Sequence, residues 1–309
     1  MKVSLVIMAA GLGSRYGGSK QVDGIGPHNE ILMEYSIYDA IRAGFNKIVF
    51  IIKPEMEETM ERLCGGYLRR KTARDGSPVE VAYAFQDFSS VPDFYQIPAE
   101  RTKPFGTVHA VICAADCIKT PFAVMNADDY YGAEAFRVMS EQLEKLHSAQ
   151  DAAMVAYRLK NTVSPFGTVT RGVCMVDNGL LTGVRETYKI KVMPDGSIRD
   201  TSESEDGPIL APDTFVSMNL WGYHQDILPV MERYFADFLA ALPADEMKAE
   251  CLLPTMMGDL TNSGKIKISV LNTNDRWFGL TYKEDKPGAV AALTALHENG
   301  TYPPTLWRG

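Results

Sequence analysis

Short apolar runs alternate with amphipathic stretches over the first 130 positions of the chain, and each has the length of a regular element. Val3 to Met8 (VSLVIM) is an almost unbroken apolar run, the pattern of a strand covered on both faces. A glycine-rich turn follows. Glu34 to Gly44 (EYSIYDAIRAG) carries apolar residues at helical spacing and stops at a glycine, and Lys47 to Lys53 (KIVFIIK) is a second strand. Pro54 to Lys71 reads as a helix interrupted at Gly65-Gly66, Val79 to Gln86 as a strand, and Val108 to Cys117 as a helix. Pro121 to Met125 is a further buried strand that ends at Asn126. This alternation predicts an α/β fold with parallel pairs and right-handed crossovers. Ligands of such sheets sit at the carboxyl ends of strands, where both the glycine turn and the Asn126 segment fall.

The second half keeps apolar strands but spaces them by longer loops. Ala152 to Arg158, Gly167 to Arg171, Leu181 to Glu186, Phe215 to Tyr223 and Ile266 to Leu271 read as strands. Met193 to Asp213 is rich in Asp, Glu, Ser, Gly and Pro, and is expected to be a surface loop. With no repeat and no linker in view, residues 1–309 are read as one domain of two cooperating halves, roughly 1–135 and 136–309.

Composition narrows the partners. An apolar content of 46% over 309 residues is enough for a sizeable core. A net charge of -8 gives no general attraction for nucleic acid or anionic membranes, so a phosphorylated ligand must be held by local groups. Five scattered cysteines do not make a disulfide framework, which favours a reducing, cytoplasmic setting. Cys113 and Cys117 would share a helix face, but no second ligand pair follows, so buried thiols are expected there rather than zinc. The Met1-Lys2 start with its apolar run passes straight into the glycine turn, which fits a first strand better than a secretory signal. No stretch approaches the roughly 20 apolar residues of a membrane helix.

Two constellations carry chemistry. Ala9-Ala10-Gly11-Leu12-Gly13-Ser14-Arg15, continuing to Ser19-Lys20-Gln21, directly follows the first strand. Glycines there let backbone N–H groups approach phosphate oxygens, and Arg15 and Lys20 add two cations suited to a triphosphate. A dinucleotide-binding turn would need glycine where Tyr16 stands, and a P-loop would need Lys20 directly after the last glycine with Ser or Thr behind it. The second constellation, Asn126-Ala127-Asp128-Asp129-Tyr130-Tyr131-Gly132, puts adjacent carboxylates just past a strand. They suit Mg²⁺, which takes oxygen ligands and is commonly shared with substrate phosphates. An Asp-rich turn closing the strand fits the same residues.

Together these segments resemble the sugar-phosphate nucleotidyltransferase family, which includes glucose-1-phosphate thymidylyltransferases and uridylyltransferases. Ala9 to Gln21 looks like its phosphate-binding signature, Pro104 to Ala110 (PFGTVHA) is similar to its base-contacting segment, and Ala127-Asp128-Asp129 to its metal-binding motif. Ser164 to Val169 (SPFGTV) and Asn219 to Tyr223 (NLWGY) resemble its sugar-pocket segments, so the likeness covers most of the chain. It implies a Rossmann-like mixed, mostly parallel sheet flanked by helices, with a nucleotide-binding half before about residue 135 and a sugar-phosphate half after it. It also implies transfer of NMP from an NTP, UTP or dTTP, to a sugar 1-phosphate, with release of pyrophosphate. Arg15, Lys20 and Asp128 would be catalytic, and Ala10, Gly11, Gly13, Gln86, Gly106 and Thr107 would bind the nucleotide. Gly167, Glu186 and Asn219 would bind the sugar, and Asp128 would hold Mg²⁺. Two positions depart from the family pattern. Gly279 stands two residues after Trp277, where the second metal-binding aspartate is usual, leaving Asp129 or Asp285 as the second ligand. Thr187 follows Glu186 where a lysine is usual, with Lys189 the nearest replacement. Neither nucleic acid nor membrane is an expected partner, and a homo-oligomer stays open. Two other readings fit the adjacent aspartates: a GT-A type glycosyltransferase using a sugar nucleotide, and a non-catalytic regulator that binds sugar nucleotides.

Overall fold

Aligned parallel strands form the first half of the structure, a computed structural model that describes residues 2–11, 24–279 and 284–307. β1 (Ser4–Met8) lies between β2 (Lys47–Ile52) and β4 (Phe122–Asn126), and β3 (Glu80–Phe85) extends the sheet beyond β2, all parallel. Met8 is level with Ile51 and Asn126, and Ile52 with Phe85, so the segments that follow these strands leave the sheet along one edge. The helices that connect them are short. α1 (Leu32–Ala43) starts where Glu34 accepts the Ile31 N–H at 2.8 Å and ends at Gly44, whose φ of 116° is the left-handed cap foreseen for it. The 54–68 segment is helical throughout, running through α2 (Glu57–Met60), a π turn over Glu61–Gly65 and α3 (Gly66–Leu68). α4 (Thr107–Cys113) precedes β4.

Beyond β4 the sheet changes hand of pairing. After the two-residue β5 (Asp129–Tyr130) and α5 (Ala133–Leu143), β6 (Asp151–Arg158) returns to the sheet. β11 (Phe215–Tyr223) runs antiparallel between β4 and β6, and β12 (Lys267–Asn272) pairs parallel with β6. In the order β3-β2-β1-β4-β11-β6-β12, β11 alone is reversed, so the mixed, mostly parallel sheet is borne out in this core.

An antiparallel extension completes the sheet. β7 (Val169–Asp177) and β8 (Leu180–Val192) form a hairpin longer than the strands expected at 167–171 and 181–186. Its turn is Asn178-Gly179, both at positive φ (48° and 78°), the pair that matches hairpin twist. Met193 to Asp213 is not an unstructured loop. It holds β9 (Ile198–Asp200), paired with β8 around the Pro194-Asp195-Gly196 turn, and β10 (Ile209–Leu210) paired with β9. Polar composition hid these strands because one face of an edge ribbon stays in water.

Alternate side chains feed two cores. Leu5, Ile7, Ile48 and Phe50 pack with α1 and α5, while Val6, Val49 and Val124 pack with α4, α6 (Leu228–Ala240) and α7 (Leu253–Asn262) on the opposite face. Each such side chain contributes about 1.5–3 kcal/mol on leaving water. A third, smaller cluster joins α1 to α8 (Asp285–Glu298) through Tyr35, Tyr130, Leu293 and Tyr302, beside the short pair of β5 with β13 (Phe278–Gly279). None of the described helices is long and apolar enough to cross a membrane.

Candidate active site

The carboxyl edge of β1, β3 and β4 brings the candidate residues to one rim. After β1, the Ala9 N–H bonds to Ile51 O at 2.8 Å, Ala10 is buried, and Gly11 is exposed, with no atom of the described residues within 4 Å of where a Cβ would stand. Gly13, Arg15 and Lys20 lie outside the described residues. At the end of β3 the Gln86 amide donates to Gly106 O at 3.3 Å. Gly106 opens α4 at φ 91°, and a Cβ there would come within 2.7 Å of Cys251 O, so this position requires glycine on both backbone and spatial grounds. Thr107 accepts the Leu253 N–H at 2.8 Å, which ties α4 to the start of α7.

The acidic loop after β4 is held by a partly buried polar network. Asn126 donates to Asp129 Oδ2 at 2.8 Å and accepts from the Asn219 amide at 2.9 Å, and Asn219 in turn accepts from the Trp221 indole at 3.0 Å. The Tyr131 hydroxyl accepts the Asn126 N–H at 3.1 Å and stands 3.2 Å from Asp129 Oδ2. Asn219 reaches this network from a bulge: β11 advances four residues from Ser217 to Trp221 while β6 advances two from Ala156 to Met154. Asn219 itself has φ 65°, which asparagine tolerates better than most residues, and bulges commonly aim side chains at sites. Asp128 is half-buried. Asp129 is buried, and burial, followed by repulsion from Asp128, pushes its carboxyl well above the usual range against the hydrogen bonds from Asn126 and Tyr131.

A cavity of about 240 Å³ opens beside the network, lined by Asn126, Asp129, Arg171, Glu186, Asn219 and Trp277. Glu186 and Asn219 thus meet the acidic loop, although both lie more than 50 positions beyond it in the chain. Gly167 does not line this cavity. It stands in the 165–169 turn, whose neighbours Pro165, Phe166 and Val169 line an adjoining cavity of about 210 Å³. Asp285 lines that second cavity and not the first, and accepts from the Ser164 hydroxyl at 2.8 Å. Lys189 is exposed, at φ 53°, and lines neither cavity.

Among the described cations, Arg276 lines only the second cavity, whereas both are lined by Arg171, which no sequence motif marks. It is 8% exposed, lines both cavities and stacks on Trp277, with Cζ 4.6 Å from the ring centroid. Burial lowers its pKa to about 10, while Asp129, Glu186 and Asp285 favour its charge from a distance. The available signal was period-two alternation: Val169 and Arg171 both turn inward on β7, while Thr170 faces out. An arginine at an inward strand position is rarely structural filler.

A second polar group stands apart from this site. His109 Nδ1 accepts the Phe105 N–H at 3.4 Å, so its proton sits on Nε2, which faces the Ser90 hydroxyl at 3.0 Å. Burial lowers the ring's pKa to about 4. With Nε2 a donor, His109 cannot take a proton from Ser90, and the pair is not a nucleophile with its base.

Comparison with known proteins agrees with this architecture. A family profile described as Nucleotidyl transferase matches residues 5–193, more than half of the chain. No curated protein matches the sequence. Among solved structures, the inositol-1-phosphate CTP transferase from T. maritima superposes with a TM-score of 0.59 at 9% identity, covering 96% of each chain. A putative glucose-1-phosphate thymidylyltransferase from Bacillus anthracis gives 0.57 at 14% identity, covering 94% of this chain and 95% of that one. The UDP-glucose pyrophosphorylase from Acinetobacter baumanii gives 0.55 at 16% identity, covering 98% and 95%. At these identities the likeness is one of fold.

Proposed function

Because the chain belongs to the nucleotidyl transferase family, we propose that it transfers NMP from a nucleoside triphosphate, UTP or dTTP, to a sugar 1-phosphate with the aid of Mg²⁺. The observation that carries this reading is the meeting, at one sheet edge, of the first-strand turn, the Gln86-Gly106 contact and the Asp128-Asp129 loop beside a cavity lined by Glu186 and Asn219.

An oxygen of the acceptor phosphate attacks the α-phosphorus in line; the new P–O bond forms as the bond to the β-phosphate oxygen breaks, and pyrophosphate leaves with that electron pair. No protein nucleophile is needed, so the rate depends on positioning and on neutralising charge. Arg15 neutralises the β- and γ-phosphates with a forked donor, and Lys20 the α-phosphate. Ala10, Gly11 and Gly13 supply backbone close to the phosphates. Gln86, Gly106 and Thr107 border the base, and Glu186 and Asn219 the sugar, where a carboxylate and an amide discriminate hydroxyl positions.

The acidic loop fits the proposed cation. Asp128 and Asp129 offer hard oxygen donors side by side, and no group of three or more metal-ligating side chains occurs among the described residues. That suits Mg²⁺, which retains waters and shares substrate phosphate oxygens. Bound there, it would neutralise phosphate charge. Asp129 fits better than Asp285 as the second ligand, because it adjoins Asp128 and lines the cavity shared with Glu186 and Asn219, whereas Asp285 lines the adjoining cavity and accepts from Ser164. A Cβ at Gly279 would come within 2.7 Å of Asp129 Oδ1, so Asp129 occupies the space that a side chain at 279 would need. The carboxylate that relatives would place at 279 is, in this reading, supplied from the end of β4.

The test is a matrix of triphosphates and sugar 1-phosphates with Mg²⁺, read as pyrophosphate release. A UTP or dTTP pair is expected to turn over. Silence across the whole matrix would sink the reading.

A further inference from the structure

Arg171 and Trp277 are buried donors with hydrogen-bonding capacity left over. A guanidinium has five N–H donors, and Arg171 directs Nε to Thr162 Oγ1 at 3.3 Å, Nη1 to Thr170 O at 2.8 Å and Nη2 to Thr162 O. All three acceptors are neutral. Two N–H groups have no acceptor among the described residues, and no carboxylate there pairs with the charge. Beside it, the Trp277 indole N–H is buried and also has no hydrogen-bond partner among the described residues. A buried polar donor left unsatisfied is destabilising, and a buried charge without a partner more so. Two such groups in contact, on the wall of a cavity, are the mark of a binding surface for an oxyanion.

We propose that Arg171 and Trp277 form an oxyanion subsite that anchors an anionic group of the acceptor substrate, a phosphate or a sugar carboxylate. This deepens the proposed reaction, and the word acceptor rests on it. The forked guanidinium matches such an anion in shape and charge. Thr162 and the Trp277 face fix its plane, and the fork is therefore preorganised. Glu186 lines the same cavity, on β8 opposite Gly172, the residue after Arg171. An acceptor bound here would offer hydroxyl groups to Glu186 and an anion to Arg171. The cation that relatives would carry directly after Glu186 is absent, and Thr187 stands opposite Arg171 in the hairpin register. A charge in the pocket has thus been kept on the neighbouring strand.

The experiment is calorimetric titration of the full chain with α-D-glucose 1-phosphate, glucuronate and glucose, in the wild type, Arg171→Met and Arg171→Lys. Methionine keeps the packing on Trp277 without the charge, and a thermal melt reports whether each variant is folded. The wild type is expected to bind at least one anionic probe more tightly than glucose. Arg171→Met should weaken that binding on the order of 10- to 100-fold, the value of a charge-assisted hydrogen bond, with partial rescue in Arg171→Lys and unchanged UTP affinity. Loss confined to glucose 1-phosphate identifies phosphate as the anion; loss for glucuronate identifies a carboxylate. The proposal is overturned if the wild type prefers neither anion, or if folded Arg171→Met binds as the wild type does. If Arg171→Met does not fold, Trp277→Phe decides, since it removes only the indole donor: the same probe should weaken several-fold, and equal affinity overturns the subsite. These titrations do not use pyrophosphate release, so failure of the reaction and failure of the subsite are told apart.

Discussion

Asp128 and Gly279 carry the sharpest consequences at the scale of single residues. Asp128→Asn removes one oxygen charge from a half-buried position and should leave the fold intact while lowering pyrophosphate release on the order of 100-fold or more. Unchanged turnover would refute its role as a metal ligand. Gly279→Ala tests the crowding beside Asp129, because the added Cβ would lie 2.7 Å from Asp129 Oδ1 and 3.1 Å from the Trp277 ring. Overpacking of this kind costs about 1–3 kcal/mol, so the melting temperature should fall by several degrees; a wild-type melt would show that the loop gives way freely. Asp128, Glu186 and Asn219 were legible in the sequence because their neighbours form recognisable motifs. Arg171 was not, since its importance comes from burial, from its stacking on Trp277 and from the lack of an ion pair among the described residues, and none of these is a property of residues near it in the chain.

At the scale of elements, the clasp between α1 and the C-terminal segment is sensitive to pH. Asp39, buried on α1, accepts the Tyr302 hydroxyl at 2.7 Å, and Tyr302 also meets Tyr130 at 2.8 Å. Burial raises the Asp39 pKa from 3.8 to about 8, despite the hydrogen bond from Tyr302. Between these two values the folded chain keeps a proton that the unfolded chain has released, so stability falls as pH rises from about 4 to about 8. Asp39→Asn keeps a carbonyl for Tyr302 without the ionisation and should flatten this slope. Denaturation midpoints from pH 5 to 9 check it, and parallel curves for the two proteins would reject it. The hairpin and the β8–β9 turn were in principle legible, because Asn178-Gly179 and Pro194-Asp195-Gly196 are turn sequences with a mechanism. The bulge at Asn219 was not, because it exists only against the register of β6.

The two halves of the molecule share one sheet and both main cores. β11 lies between β4 of the first half and β6 of the second, and the cluster around Val6 and Val124 includes Met154, Trp221 and Met256. Unfolding should therefore be a single transition. Far-UV circular dichroism sees the secondary structure of both halves, whereas the fluorescence of Trp221, Trp277 and Trp307 reports on local packing, that of Trp307 against Tyr38 and Tyr67 of the first half, so coincident denaturant curves are expected and separated ones would divide the chain into two domains. The alternation of the first 130 residues determined the parallel core and the edge on which ligands meet it, because strand burial, helix periodicity and glycine caps are local properties. Which partners the later strands take, that Asp129 fills the space beside Gly279, and that the Arg171 guanidinium stacks on Trp277 were decided by the tertiary structure. Those facts depend on contacts between residues tens to more than a hundred positions apart, whose closeness no local pattern encodes.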